Sequence, residues 1–251
     1  YPGGLPEGVN TITVIAFDEA GNSSTATLQW IVDKTPPAIF AERPAENGFT
    51  NDTLPVIAAY VTDNLSGVAP DSIYVLIDGA AAVNAQFDSE TGMIEAQAEW
   101  PLANGNHTIY VEAADKSGNA GYKEWHFSID TQPPAGNMNP IARPNSFTEV
   151  GEASASRTIY FTWDPIDDNN GGSGIETYYA DIVYDNEPIE RDAGIDGHDI
   201  DEADSDGLIT YCIEAVDWAG NRSERQCDTI TVATGIPAIT NLANSPDPIS
   251  P

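Results

Sequence analysis

A seven-residue phrase that recurs three times constrains this chain more than any other feature. The phrase is Ala-x-Asp-x-x-Gly-Asn, and its aspartates are Asp18, Asp115 and Asp217, which lie 97 and 102 residues apart. Repeats at this interval predict structural units of about 100 residues each. This length suits a β-sandwich domain, in which two sheets pack face to face around one core.

The residues around the repeated phrase indicate strands. Thr, Val, Ile, Ala and Tyr alternate with polar residues, 21 Gly and 18 Pro interrupt the chain, and no long stretch has an apolar period of 3.6 residues. We therefore predict an all-β fold of tandem sandwiches. Because successive strand side chains point to opposite faces, Ile109, Val111 and Ala113 are expected on a core face. The equivalent face of the last repeat starts at Ile209 and includes Tyr211, and Trp163 is expected to pack in the centre of the same sandwich.

A second repeated phrase marks the joints between units. "IVDKTPPAI" and "SIDTQPPAG" place Asp33 and Asp130 three residues before a Pro-Pro pair, and prolines suit a stiff linker because they cannot donate to a sheet. The predicted organisation is a C-terminal hairpin of an incomplete unit (1–34), two complete units (35–131 and 132–234), and a linker or the start of a further module (235–251). Since an isolated hairpin is marginally stable in water, its missing strands are expected upstream or from a neighbouring molecule.

Charge and composition disfavour several classes of partner. Forty Asp and Glu stand against nine Lys and Arg, a formal net charge of −31, which would repel nucleic acid and anionic lipid headgroups. No apolar run approaches the roughly 20 residues of a membrane span, so direct membrane insertion is not expected. Two cysteines and three widely separated histidines do not form a zinc pattern.

The two repeated phrases together resemble those of bacterial immunoglobulin-like domains in giant cell-surface adhesins. The unit at 132–234, with "FTWDPIDDNNGGSGIETYYADIVYD" and "AVDWAGNRS", resembles a fibronectin type III variant instead. This resemblance covers nearly the whole chain. It implies tandem immunoglobulin-like sandwiches arranged as an elongated rod at the cell surface.

The connectivity of such a sandwich brings carboxylates together. The chain enters each unit at the end that carries the B–C loop (between its second and third strands) and the F–G loop (between its last two), so each linker aspartate meets the acidic loops of the following unit. A hard cation with 6 to 8 oxygen ligands relieves such crowding, and Ca²⁺ fits better than Mg²⁺. We predict two calcium sites, with affinities on the order of 10⁻⁴–10⁻³ M; solvated acidic loops are the alternative. The predicted ligands are Asp33, Asp63, Asn64 and Asp115 for the first site, and Asp130, Asp167, Asp168 and Asp217 for the second.

Two further features are interpreted as local turns without a bound ion. The Gly and Asn of the repeated turn are expected to act locally, Gly through a positive φ and Asn through bonds to nearby backbone. "EADSDGLIT" matches the first part of an EF-hand loop, but its twelfth position is Ile213 where a glutamate is required. We interpret it as an acidic turn.

Cys212 and Cys227 flank the third repeated turn, and we predict that they form a disulfide in an oxidising, extracellular location. Their alignment raises a difficulty, because Cys227 matches the inward position of Trp125 and Leu28, while Cys212 matches the outward position of Tyr110. A one-residue bulge or a different register is therefore required.

These patterns favour a non-catalytic structural stalk whose joints are rigidified by calcium. No Ser/His/Asp spacing and no Gly-rich phosphate loop is present, so an enzyme is not expected. The expected partners are neighbouring domains of a longer chain and, in a filament, like subunits. An accessory carbohydrate- or protein-binding module of a large secreted enzyme is one alternative, which exposed coplanar aromatics on one sheet would favour. A filament subunit completed by a neighbouring chain is the other.

Overall fold

The computed structural model describes residues 4–144, 146, 151, 153–169, 171–184, 187–203 and 205–235. They form two compact units. The first comprises the described residues of 1–132 with Gly171–Ser173 and Trp218–Gly220, and the second comprises the described residues of 133–170, 174–217 and 221–251. Of the predicted terminal segment, residues 236–251 lie outside the described residues.

The first unit contains eleven strands and one short 3₁₀ helix, Pro70–Ser72. The strands are β1 (Gly8–Phe17), β2 (Ser23–Val32), β3 (Ala38–Arg43), β4 (Gly48–Thr50), β5 (Ile57–Thr62), β6 (Tyr74–Ile77), β7 (Ala80–Ala81), β8 (Val83–Asp88), β9 (Met93–Gln97), β10 (Gly105–Ala114) and β11 (Ala120–Ile129). Strands β1 and β2 form a separate hairpin. The others form a five-stranded sheet of order β4-β11-β10-β6-β7 and a four-stranded sheet of order β3-β5-β9-β8.

Side chains from both of these sheets fill the core of the first unit. Ile109, Val111 and Ala113 of β10 are almost completely buried, as the alternation predicts, and Trp125 and Phe127 of β11 pack with them. Trp125 Nε1 donates to the carbonyl oxygen of Pro44 at 3.0 Å. Its one polar atom is therefore satisfied, as a buried indole requires.

The second unit repeats the two-sheet plan. Its described strands are β12 (Ile141–Arg143), β13 (Ala153–Ser154), β14 (Thr158–Thr162), β15 (Ile175–Tyr184), β16 (Glu187–Gly194), β17 (His198–Glu202), β18 (Gly207–Asp217) and β19 (Gln226–Val232). They form a five-stranded sheet of order β13-β19-β18-β15-β16 and a three-stranded sheet of order β12-β14-β17.

The core of the second unit is centred on aromatic rings. Phe161 and Tyr211 stack with their centroids 3.9 Å apart, and Trp163 packs beside them with 4% of its surface exposed. Ile209, Ile213 and the other predicted core residues of β18 are also buried. The predicted core positions of both units are thus confirmed.

The all-β prediction is confirmed, and β10 and β18 carry the core faces that the alternation predicts. The strands at the edges of the four larger sheets are β3, β4, β7, β8, β12, β13, β16 and β17. Their alternation is weak because they face solvent or are only two or three residues long. Among the described residues, no helix is long and apolar enough to cross a membrane.

The hairpin β1–β2 exposes apolar side chains on both faces. Its ten residue pairs run in continuous register from Gly8 with Val32 to Phe17 with Ser23. Phe17 and Leu28 are 70% and 65% exposed. The inward position predicted for Leu28 is therefore not buried in this structure, because none of the described sheets covers the hairpin.

The predicted disulfide is present, and the required bulge accounts for it. Cys212 and Cys227 face each other directly across β18 and β19 and are joined by an S–S bond. Nearer the turn, Val216 pairs with Arg222, whereas Ile213 pairs with Gln226. The second strand therefore holds one extra residue between these pairs. The shift turns Cys227 to the outer face, where it is exposed, so the inward position predicted for it is wrong.

Candidate metal centre

The three repeated turns share one hydrogen-bond network. In the first, the Asn22 backbone N–H donates to Asp18 Oδ1 at 2.8 Å, and Asn22 Nδ2 donates to Asp18 Oδ2 at 2.7 Å. The same two bonds measure 2.9 and 2.6 Å between Asn119 and Asp115, and both measure 2.8 Å between Asn221 and Asp217. The spacing of the motif thus builds a local turn, but the Asn side chain bonds to the Asp carboxylate and not, as predicted, to nearby backbone.

The glycine of each turn adopts a conformation that other residues rarely tolerate. Gly21, Gly118 and Gly220 have φ values of 84°, 92° and 89°. A side chain in this left-handed region costs conformational energy, which glycine avoids because it has no Cβ. The local role predicted for the glycines is therefore confirmed.

The surroundings distinguish the second and third turns from the first. Asp18 is exposed at the tip of the hairpin β1–β2, while Asp115 and Asp217 are 2% and 0% exposed. Burying a carboxylate is costly unless charge or hydrogen bonds compensate it. The aspartate is therefore buried in two of the three copies, and the turn itself does not require this burial because Asp18 forms the same turn while exposed.

In the first unit, three carboxylates from three separate segments meet. Asp33 follows β2, Asp63 follows β5, and Asp115 follows β10. One carboxylate oxygen from each of them lies within 4.8 Å of the other two. This is the juxtaposition that the connectivity of the sandwich predicts.

Backbone amides fix the orientation of these side chains. Asp33 Oδ1 accepts from the Thr35 N–H at 3.2 Å and Oδ2 from the Ser66 N–H at 2.9 Å. Asp63 Oδ1 accepts from the Leu65 and Gly67 N–H groups at 3.2 and 2.6 Å. Each carboxylate is thus held in place by its own loop or by a neighbouring one.

Hydrogen bonding also favours the ionised form of Asp33. Donation by Ser66, opposed in part by burial and supported by the Thr35 amide, lowers the pKa of Asp33 below its ordinary value of 3.8. A hydrogen bond to a carboxylate stabilises its charged state. Asp33 is therefore an anion at neutral pH.

No lysine or arginine of the described residues forms an ion pair with the three carboxylates. Lys116, which follows Asp115 directly and which the sequence argument overlooked, lies against Gly67. Lys34 donates to the carbonyl oxygen of Leu5 at 2.8 Å. Within the described ranges, no ion pair within 4.0 Å involves Asp33, Asp63 or Asp115.

The donor set fits a calcium ion. Ligand oxygens lie about 2.3–2.6 Å from Ca²⁺, so two on opposite sides of the ion are at most about 5 Å apart, and the three aspartate oxygens satisfy this limit. A cavity of about 310 Å³ opens beside them, lined by Glu7, Asp33, Thr35, Pro36, Ala38, Thr62, Asp63, Asn64 and Leu65. It leaves room for water to complete the shell.

Two predicted ligands lie outside the carboxylate groups. Asn64 is exposed and lines the cavity beside Asp63. Asp167 is exposed as well, while its neighbour Asp168 brings a carboxylate oxygen within 4.8 Å of one from Asp217 in the second unit. Asp168 also accepts from the Asn169 and Gly174 N–H groups at 2.7 and 2.8 Å.

The linker aspartate Asp130 repeats the bonds of Asp33. It accepts from the Gln132 N–H at 3.0 Å and, within the first compact unit, from the Ser173 N–H at 2.7 Å. The second calcium site stays a prediction from the sequence.

A serine that the sequence argument missed recurs in this arrangement. Ser66 and Ser173 each donate a backbone N–H to a linker aspartate. Both belong to a Ser-Gly pair at the end of an acidic loop, "TDNLSG" and "DDNNGGSG". This shared ending is the signal that could have identified them.

The acidic turn at 202–210 is hydrogen-bonded to Thr234, which follows β19. Asp206 accepts from Thr234 N–H at 2.9 Å and from its hydroxyl at 2.7 Å. Asp204 lies outside the described residues. The bonds to Asp206 agree with a turn and leave the interpretation of the EF-hand-like phrase unchanged.

Comparison with known proteins concerns the fold. No protein-family model and no curated protein sequence matches the chain. Domains A168–A170 of titin align over 90% of this chain and 75% of theirs, with 15% identity and a TM-score of 0.51. The fibronectin(III)-like modules of CbhA from Clostridium thermocellum align over 78% of this chain and 94% of theirs, with 13% identity and a TM-score of 0.50.

A third structure is a Ca²⁺-stabilised, ice-binding adhesin of an Antarctic bacterium. It aligns over 90% of this chain and 57% of its own length, with 16% identity and a TM-score of 0.40. That similarity is too low to bear on function. The first two comparisons agree with the sheets described above. The chain has the β-sandwich fold of immunoglobulin-like and fibronectin type III-like domains.

Proposed function

We propose that this chain is a non-catalytic, calcium-stabilised structural segment of an extracellular bacterial adhesin or surface filament. The proposal rests on Asp33, Asp63 and Asp115, which come from three segments and bring one carboxylate oxygen each within 4.8 Å of the others. Among the described residues, none of the three forms an ion pair. Calcium bound there ties the segment that follows the hairpin to two loops of the sandwich. Asp130, Asp167, Asp168 and Asp217, the set predicted from the sequence, are proposed to hold a second ion.

The surface-exposed setting is supported by the cross-strand disulfide. Disulfides persist in oxidising compartments and are rare in reducing ones, and Cys212–Cys227 joins two neighbouring strands of the second unit. Calcium is also abundant outside cells, where sites of about 10⁻⁴–10⁻³ M affinity are occupied.

Calcium titration of the full chain by isothermal calorimetry tests the proposal. We expect saturable binding that Asp63→Asn weakens at least about tenfold, because the ion loses a charged ligand. Asp18→Asn is the matched control, since Asp18 occupies the same turn sequence but does not belong to a described carboxylate group. Heat that does not saturate, or equal loss in both variants, would contradict the proposal.

A second candidate function rests on the exposed hairpin. The apolar residues of β1 and β2 are uncovered, which favours a subunit whose missing strands come from a neighbouring chain. Light scattering coupled to size-exclusion chromatography tests it across a range of concentrations. Self-association that Phe17→Ser and Leu28→Ser abolish would favour the filament, whereas a monomer at all concentrations would exclude this form of it.

A further inference from the structure

The two five-stranded sheets carry the same tyrosine–glutamate pair on their outer faces. In the first unit, Glu112 of β10 lies opposite Tyr74 of β6. In the second unit, Glu214 of β18 lies opposite Tyr179 of β15. Each glutamate stands three residues before the aspartate of the repeated turn, so the two pairs occupy equivalent positions.

In the second unit an arginine, Arg222, contacts both members of the tyrosine–glutamate pair. The Arg222 guanidinium carbon lies 4.7 Å from the centre of the Tyr179 ring. Its Nη1 pairs with Glu190 at 2.9 Å and also with Glu214. An aromatic face and two carboxylates thus hold one guanidinium, which combines a cation–π interaction with ion pairs.

In the first unit the same position carries no charge. Arg222 pairs with Val216, and the equivalent pair is Ala120 with Ala114. Replacement of arginine by alanine leaves the tyrosine–glutamate pair without its cation. Lys123, on the same strand as Ala120, pairs with Glu42 at 2.7 Å instead.

The first unit adds two more tyrosines to this face. Tyr122 lies opposite Glu112 on the side away from Tyr74, and its ring stacks on Tyr110 with centroids 5.5 Å apart. Tyr74 and Tyr122 are 50% and 71% exposed. Tyr110 donates its hydroxyl to Glu112 Oε2 at 2.6 Å, which fixes the carboxylate between the rings.

We propose that the surface formed by Tyr74, Tyr110, Tyr122 and Glu112 binds an arginine side chain of a basic partner polypeptide. Arginine is proposed as the ligand because the equivalent surface of the second unit holds Arg222 against Tyr179. Among the described residues, Glu112 and Glu124 of this face form no ion pair. The net charge of −31 also attracts a basic partner and speeds its encounter.

Guanidinium is favoured over ammonium at this surface for a geometric reason. A planar guanidinium stacks on a ring and donates to a carboxylate at the same time, whereas an ammonium behaves as a point charge. Tyrosine and arginine are also enriched where proteins form energetically important contacts. The partner is therefore expected to present an exposed arginine, alone or in a short basic segment.

Peptide titration of the full chain, labelled at its tyrosine rings and kept in millimolar calcium, tests the proposal by NMR. The probe is a blocked glycine peptide with a single arginine, and the comparison peptide has lysine in its place. We expect saturable shifts of the Tyr74, Tyr110 and Tyr122 rings, and several-fold weaker binding of the lysine peptide.

Substitutions at Ala120 and Arg222, which occupy equivalent positions in the two units, provide the variants for this test. Ala120→Arg provides the cation from the chain itself and should abolish the shifts, while Ala120→Gln, of similar bulk without charge, should retain them. Arg222→Ala should open a second site and add shifts of Tyr179. The proposal is overturned if Ala120→Arg leaves the titration unchanged, or if the peptide shifts signals throughout the acidic loops equally in every variant. It is also overturned if a neutral oligosaccharide or a second copy of the chain shifts these rings and the arginine peptide does not.

Discussion

The side-chain amide of Asn119 donates to the backbone carbonyl of Asp33 at 3.1 Å, across 86 residues of sequence. Asn119 also closes its own turn through Asp115. One residue of the repeated motif therefore joins the F–G turn to the segment that enters the sandwich. Asn22 makes the corresponding local bonds at the tip of the hairpin, so the turn and the longer-range contact are separable.

Calcium is expected to stabilise the first unit against unfolding. At a calcium concentration 100 times the dissociation constant, binding to the folded state adds about 2.7 kcal/mol to the free energy of unfolding. Asp115→Asn should lose most of this gain, while Asp18→Asn should keep it. Thermal unfolding, followed by the fluorescence of the buried Trp125, measures the gain in calcium and in chelator. Equal gains in all three proteins would show that Asp115 does not bind the ion.

The disulfide is expected to stabilise the second unit. Removing a crosslink that spans 15 residues costs about 3 kcal/mol in the chain-entropy treatment. The double variant Cys212→Ala/Cys227→Ala should therefore unfold at lower denaturant concentration, as measured by the fluorescence of Trp163 and by circular dichroism. Calcium-dependent stability of the first unit serves as the control and should not change. An unchanged midpoint for the second unit would contradict the prediction.

The glycine of the second repeated turn is expected to resist substitution. Gly118 has a φ of 92° and nothing within 4 Å of where a Cβ would lie, so Gly118→Ala tests the backbone conformation alone. A loss of about 1–2 kcal/mol is expected from the left-handed conformation. Gly118→Asn should lose less, since asparagine tolerates this region better. Chemical denaturation of both variants checks the order, and a more stable alanine variant would reverse it.

The hydroxyl of Tyr110 is expected to titrate late. Its hydrogen bond to Glu112, with burial as the next cause, raises the pKa of Tyr110 from 10.0 to about 12. A raised pKa means that the interaction stabilises the folded state below pH 10 and that this contribution is lost as pH rises through about 12. Tyrosine ring NMR across this range should show Tyr110 titrating with a pKa of about 12. Glu112→Ala should lower the pKa of Tyr110, whereas Glu124→Ala should have a smaller effect.

Much of the fold follows from sequence because its signals are local and periodic. The core faces of β10 and β18 alternate strictly, so Ile109 and Tyr211 could be placed before the structure was known. The bulge in the hairpin β18–β19 followed from the sequence because Cys212 and Cys227 align with positions on opposite faces of the sheet. Edge strands such as β8 and β17 carry weaker patterns, since solvent on one side removes the need for regular alternation.

The candidate site was partly predictable for a different reason. The position of Asp33 beside Asp63 and Asp115 follows from the chain's topology and not from any local pattern. Ser66 was missed because its contribution is a backbone N–H, which any residue but proline offers. The tyrosine surface was missed because Tyr74 and Tyr122 lie on either side of Glu112 only through the pairing of β6, β10 and β11, which the sequence pattern does not specify.

Small-angle X-ray scattering of the full chain, first in millimolar calcium and then in excess chelator, tests the central claim most directly. If calcium at the linker aspartates holds the chain in a fixed arrangement, chelation should shorten its maximum dimension and increase its flexibility, and added calcium should restore both. Asp63→Asn should reproduce the part of this change that comes from the first site, even with calcium present. An identical scattering profile in calcium and in chelator would contradict the account and leave the repeated aspartates with a role in turn formation alone.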